Sequence, residues 1–184
     1  RQMCIRDRLK IEAQVGAYPL LEPASTVSVQ GSQDVGDFIK SQSAQAGFEY
    51  QNDGVQATVS DMTVYGDPIT KMKTVANAAG ADIIFDDDKT IVVPKDGVRR
   101  AEGGVPVVSA DTGMIGYPTF TNTGIQCRTF FRPELRVAAA VSVQTIVPHA
   151  SGVWKITQLQ HSLSAHNPGA SSWETSFDGM WLGE

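Results

Sequence analysis

The stretch Leu135 to Val147 constrains this chain more than any other, because Val137, Ala139, Val141, Val143, Thr145 and Val147 recur at every second position. A period of two places those side chains on one face of an extended strand, and no helix can gather them. The surrounding text agrees. Val105 to Val108, Gly124 to Phe131, Trp154 to Leu163 and Ser172 to Trp181 are strand-like, separated by Gly, Pro and Asn clusters. Such a set over residues 105–184 predicts a five- or six-stranded antiparallel β-barrel, since closure removes exposed sheet edges. One strand breaks parity: Trp154 and Ile156 keep one phase, Leu159, His161 and Leu163 the other. A β-bulge near Thr157-Gln158 is expected to return both groups to one face.

The N-terminal half mixes helix and strand, so the chain as a whole reads as α+β. Leu9 to Val15 alternates as a half-buried strand, and Thr26 to Val29 forms a second, ended by Gly31. Residues 31–96 then carry a divergent repeat. Asp34 to Gly47 sets Val35, Phe38, Ile39 and Ala46 on one helical face; Asp67 to Gly80 does the same with Ile69, Met72, Val75, Ala76 and Ala79, and both ends are offset by 33 residues. Aspartate opens each helix, glycine closes it, and Pro68 suits a first turn. Each helix follows a short strand and precedes an expected hairpin: Phe48 to Tyr50 with Val55 to Val59 across Asn52-Asp53-Gly54, then Ala81 to Phe85 with Thr90 to Val93 across Asp86-Asp87-Asp88. The expected unit is therefore β-α-β-β, twice. Ankyrin-type repeats share the period, but two copies are too few for a solenoid and the β-branched hairpins contradict it. The polar segment Lys95 to Gly104 is the expected domain boundary.

Charge and cysteine content exclude several functions. The chain carries a formal net charge of −5. Its first eight residues, Arg1 to Arg8, resemble translated sequencing-adapter sequence and are set aside from fold reasoning. Without their three Arg and one Asp, the charge becomes −7. A body this acidic is poorly suited to wrap nucleic acid, whose affinity comes from Lys and Arg releasing counterions. Setting aside Cys4 leaves Cys127, so no intrachain disulfide is expected. No run approaches the roughly 18 apolar residues of a membrane span, and no membrane anchor is expected.

Candidate chemistry is sparse. His149, His161 and His166 lie twelve and five residues apart, without the close pair and third ligand that zinc prefers. His161 reads as a packed strand residue, and Cys127 as a buried, inert thiol. Asp86-Asp87-Asp88 lacks the glycine and distal glutamate of a calcium loop and reads as a solvated tip. No nucleophile elbow, phosphate-cradling loop or dinucleotide fingerprint occurs. Arg128, Arg132 and Arg136 recur every fourth residue, yet Pro133 rules out one helix through them. Trp154 and Trp173 are expected to form a cross-strand packing pair. The reading is of a non-enzyme with no cofactor, no metal and no catalytic residue.

Several motifs occur in one order: Thr112-Gly113-Met114-Ile115-Gly116-Tyr117-Pro118, Thr129-Phe130-Phe131-Arg132-Pro133, and Gly152 to Thr175 with Trp154, His161, Pro168 and Trp173. In that order they resemble the C-terminal part of baseplate hub proteins of long-tailed bacteriophages and prophages. The likeness runs from about Gly16 to Trp181, and the motif positions are Gly113, Gly116, Tyr117, Pro118, Arg132, Pro133, Trp154, His161, Pro168 and Trp173. The chain departs from the family pattern at Ala138-Ala139-Ala140 and at Gly169-Ala170-Ser171-Ser172, where glycines are usual. The resemblance implies two barrels of tail-tube type with an α+β segment, three copies forming a pseudo-sixfold ring between tail tube and spike. Residues 9–30 would then be remnant strands of a truncated first barrel. It further implies a homotrimer in the intact protein, tail spike and tail tube proteins as partners, DNA passing through without specific binding, and a location in the virion tail after assembly in the host cytoplasm. The alternative is a cell-wall (peptidoglycan)-binding or lysin-associated tail module. An oligonucleotide-binding barrel is disfavoured by the acidic balance.

Deleting residues 1–8 is expected to leave the melting temperature unchanged. A fall of several degrees, the size of a loss of about 1 kcal/mol in a domain this large, would contradict the adapter reading.

Overall fold

The computed structural model describes residues 23–100, 103–164 and 172–183. The expected strand over 9–15, the adapter-like residues 1–8 and Pro168 lie outside them. Among the described residues the fold is α+β with mostly strand, and the two helices there sit where the repeat placed them. Helix α1 (Val35–Gln45) is capped by Asp34, whose Oδ1 accepts from the Asp37 amide at 3.1 Å; helix α2 (Pro68–Ala78) is capped by Asp67, which accepts from the Thr70 amide and hydroxyl. Burial raises the Asp67 pKa, but the hydrogen bonds from Thr70 outweigh it and hold the carboxyl below its ordinary value. Gly47 and Gly80 leave each helix in left-handed backbone, where a side chain would be strained.

The helices bury their apolar faces against each other and against a ribbon of β1 (Ser25–Asp34) and β3 (Thr58–Gly66). Val35, Phe38 and Ile39 of α1 meet Ile69, Met72, Val75 and Ala76 of α2, with Val29, Val64 and Val92 completing the core. A second small sheet has the order β2 (Glu49–Asn52), β5 (Lys89–Pro94), β4 (Ala81–Asp86).

The expected duplication of a four-element β-α-β-β unit is not present. The hairpin across Asp87-Asp88 forms, but the one across Asn52-Asp53-Gly54 does not. There the Asn52 side chain accepts from the amides of Gly54 and Val55 and donates to the Val55 carbonyl. That local turn sends the chain away from β2 rather than back along it. β2 instead pairs in parallel with β5, and 58–66 becomes one long strand on β1.

The C-terminal sheet has six strands in the order β6 (Val107–Ser109), β9 (Ala140–Gln144), β10 (Gly152–Leu163), β11 (Trp173–Gly183), β8 (Gly124–Phe130), β7 (Thr119–Thr121). Two corrections to the barrel follow. β6 runs parallel to β9, so the sheet is mixed. Among the described residues its outer strands β6 and β7 do not pair, so the sheet curls into a half-barrel and stays open. Both edges are only three residues long, which limits the backbone left unpaired. The expected strand 135–147 is also shorter: Ala138 takes positive φ and Leu135 turns inward, so only 140–144 stays in the ladder.

The β-bulge is where the parity break placed it. Ile156 faces Gly179 and Gln158 faces Asp178, leaving Thr157 unpaired. Trp154, Ile156 and, past the bulge, Leu159 all turn to the core with Phe177, Ile125, Cys127, Val141 and Val143.

Between the α+β part and this sheet lies a buried cation. The Lys155 side chain is 3% exposed, and its ammonium donates to Asp82 Oδ2 at 2.8 Å, to the Lys95 carbonyl at 2.8 Å and to the Pro94 carbonyl at 3.3 Å. Three donors meet three acceptors, the condition for burying an ammonium without a large desolvation loss. Ile91, Val93 and Ala138, with Ile84 and Val137, form the apolar contact beside it.

Asp82→Ala should destabilise by about 1–3 kcal/mol, because it leaves the ammonium buried with two neutral carbonyls. Lys155→Met should cost less, since Asp82 is 43% exposed and water can take over its carboxylate. Thermal melts of the two variants check the order; Lys155→Met melting below Asp82→Ala contradicts it.

Candidate functional site

The motif residues fall into three places on the C-terminal sheet. The first is its β8 edge. Met114 bridges Thr129, the Ile115 amide donates to the Arg128 carbonyl, and the Phe130 amide donates to the Gly113 carbonyl, before β7 resumes with Thr119 opposite Gln126. Residues 113–121 therefore form one antiparallel edge, interrupted by a loop at Gly116-Tyr117-Pro118. Gly113 has φ +101, and a Cβ there would stand 2.9 Å from the Phe130 ring; Gly116 has φ +74. Pro118 is buried and brings no amide that would need a ladder partner. The loop interrupts pairing along this edge and displays Tyr117, which is 66% exposed.

The second place is the distal end of the β10–β11 hairpin. Thr175, fully buried and opposite His161, bonds His161 Nδ1 at 2.9 Å and accepts from the Arg132 amide at 3.0 Å through the same hydroxyl. The Phe131 ring stands edge-on to His161 at 5.2 Å and to Trp173 at 5.9 Å, and its amide donates to the Trp173 carbonyl. Arg132 reaches Glu134 at 2.6 Å and the Val107 carbonyl at 2.5 Å, tying the edge strand β6 to this corner. Burial raises the Glu134 pKa, but its backbone hydrogen bond and Arg132 outweigh that and lower it. Pro133 is exposed at the turn that follows. Three motif residues thus meet around Thr175, a position that sequence reasoning missed. Its signal was only a threonine in phase with Phe177 on an alternating strand.

The third place is the opposite end of the same hairpin. Trp154 stacks edge-to-face on Trp181 at 4.8 Å and donates to the Ala150 carbonyl at 3.1 Å. The expected Trp154–Trp173 pair is therefore corrected: register sets Trp154 against Trp181 and Trp173 against Leu163. The tryptophans lie at two ends of a long hairpin, not in a row.

None of these places is a catalytic constellation. Among the described residues, no group of three or more His, Cys, Asp or Glu could hold a metal ion. Cys127 is buried on β8, and burial pushes its thiol up to about 12, far from thiolate chemistry. No helix among the described residues is long and apolar enough to cross a membrane.

The outer face of the sheet is polar. Beyond the bulge, Gln158, Gln160 and Ser162 of β10 stand beside Glu174, Ser176 and Asp178 of β11 and Gln126 and Arg128 of β8. Arg128 bonds Glu174 at 2.5 Å, and Gln126 donates to Asp178 at 3.0 Å. Lys155, before the bulge, meets the α+β part on this face, while Gln158, Gln160 and Ser162 are exposed among the described residues.

A half-barrel of this kind joined to an α+β part recurs in tail proteins. The chain is similar in fold to the tail protein from Neisseria meningitidis MC58 (TM-score 0.63, 9% identity, covering 85% of this chain and 69% of that one). It is similar to the 43 kDa tail protein of prophage MuSo2 from Shewanella oneidensis (TM-score 0.56, 7% identity, 84% and 64%). A third likeness is to the E. coli c3393 protein, a type VI secretion system component with structural similarity to the T4 bacteriophage tail proteins gp27 and gp5 (TM-score 0.58, 12% identity, 90% and 52%). The chain thus spans little more than half to two thirds of those proteins. No curated protein sequence matches it. The model of the family described as baseplate hub gp41 matches residues 21–169, and the chain belongs to that family. It is a baseplate hub-like structural protein of the phage tail.

Thr175→Val keeps the shape but leaves the Arg132 amide without its acceptor, and should cost about 1–3 kcal/mol, while Thr175→Ser should restore most of it. Denaturant unfolding checks this; wild-type stability in the valine variant contradicts the bridging role.

Proposed function

We propose that this chain joins the tail tube to the spike as part of a threefold hub, with the outer face of its C-terminal sheet forming part of the wall through which DNA passes. The observation that carries this reading is the polar face around Gln158, Gln160 and Ser162, exposed among the described residues. Among the described residues its arginine, Arg128, is already paired to Glu174. A wall for a moving polyanion needs such a surface. Free cations would release counterions from the phosphates and arrest the duplex, whereas glutamine, serine and a net charge of −5 give it nothing to hold. On this reading residues 105–184 act as a tube-type domain built on the open half-barrel, residues 31–96 as the α+β domain, and the motif residues as its edge and corner supports. The protein acts without catalysis in the virion tail, after assembly in the host cytoplasm.

The cell-wall reading calls for an aromatic groove. The tryptophans are instead split between the two ends of β10 and β11.

The longer parent protein should form threefold rings by mass photometry and electron microscopy, and bind its spike. A strict monomer that does neither would contradict the proposal.

A further inference from the structure

Two carboxylates bracket the arginine of the polar sheet face. Register arranges the outward side chains of β10, β11 and β8 in three rows: Ser162, Glu174 and Phe130; Gln160, Ser176 and Arg128; Gln158, Asp178 and Gln126. Arg128 therefore stands opposite Ser176, with Glu174 and Asp178 as its two diagonal neighbours on β11, a separation that a long side chain spans. Glu174 takes it, its Oε2 accepting from Arg128 Nη2 at 2.5 Å. Asp178 accepts instead from the Gln126 side-chain amide at 3.0 Å.

The pair does little for the fold. The Arg128 side chain is 57% exposed and that of Glu174 30%, and an ion pair so open to water adds little to stability. It does more for what the face attracts. A free guanidinium fork at Arg128 would match a backbone phosphate in a bidentate way. Beside it, the side chains of Gln160 and Ser176 make no hydrogen bond among the described residues, and the upper two rows line a shallow cleft of about 320 Å³. Without its carboxylates the patch would have both the donors and the room for a phosphate contact.

We infer that Glu174, with Asp178 behind it, is a charge mask that keeps the arginine of this face from holding DNA. With the mask in place the three rows carry a formal charge of −1, from Arg128, Glu174 and Asp178. With it removed, Arg128 gains one phosphate contact that releases counterions. Glu174 acts through Arg128, so its effect must vanish when Arg128 is removed. This deepens the conduit reading and rests on it, since only a wall that meets DNA needs its cation hidden.

Fluorescence anisotropy with a labelled short DNA duplex, on the full chain at low salt, tests it. Glu174→Gln with Asp178→Asn should bind the duplex at least about fivefold more tightly than the wild-type chain, with a salt slope steeper by about one phosphate contact. Glu174→Gln alone should gain less, because Arg128 can turn to Asp178, and Glu174→Asp should keep the mask. Adding Arg128→Ala to the double variant should return affinity and slope to wild-type values. Asp37→Asn with Asp111→Asn, which removes the same charge elsewhere, should change affinity less than about twofold. Equal gains in the two double variants, a gain that survives Arg128→Ala, or no gain in either Glu174→Gln variant would overturn the mask. The conduit reading fails on a different result: a wild-type chain that already binds the duplex and loses that binding in Arg128→Ala.

Discussion

The ammonium of Lys155 fixes how the two halves of this protein meet. It sits on β10 beside Trp154 and Ile156, so the strand that carries the half-barrel core also delivers a charge to its outer face. A buried cation has no tolerance for a missing partner. Its three acceptors come from one small sheet and the segment leaving it, Asp82, Pro94 and Lys95. That requirement orients β4 and β5 over β10, brings Ile91 and Val93 onto Ala138, and leaves the rest of the sheet face open. Apolar contact alone is non-directional and would allow many placements. A charge with three fixed acceptors specifies one.

From this constraint follows the division of the sheet. Before the bulge at Thr157, the outer face of β10 belongs to the α+β half. After it, the outer face carries Gln158, Gln160 and Ser162. The bulge keeps Leu159 on the core while the strand bends, so a single twelve-residue strand serves a packed interior and an open exterior. The motif residues then secure the borders: Gly113 and Gly116 shape the β8 edge, and Arg132, His161 and Trp173 close the hairpin corner around Thr175. Glycines at two positive-φ sites and a proline without an amide are what an edge that must stop pairing requires.

Much of this was legible in the sequence because it is local. Aspartate caps, glycine exits and the 3.6-residue faces identified both helices, and the parity break at Trp154 to Leu163 identified the bulge. What was not legible depends on partners far along the chain. Asn52-Asp53-Gly54 has the composition of a hairpin turn, but the Asn52 side chain closes its own turn and frees β2 to pair with β5. Nothing local marks β6 as parallel to β9, and Trp154 finds Trp181 only through the length of the hairpin arms. Lys155 reads as an ordinary outward residue of an alternating strand. Its burial is decided by a sheet 60 residues away in sequence. The ion pairs of Arg99 and Arg136 with Asp86 are hidden for the same reason, since they form only once the halves are joined.

The central claim is that the outer face of the C-terminal sheet is a conduit wall and not a buried interface. A cryo-electron microscopy reconstruction of the assembled baseplate tests it most directly. The account predicts that Gln158, Gln160 and Ser162 point to the tail axis in each copy, with no protein covering them. A map in which that face is buried against another tail protein, or turned to the outside of the ring, would contradict it.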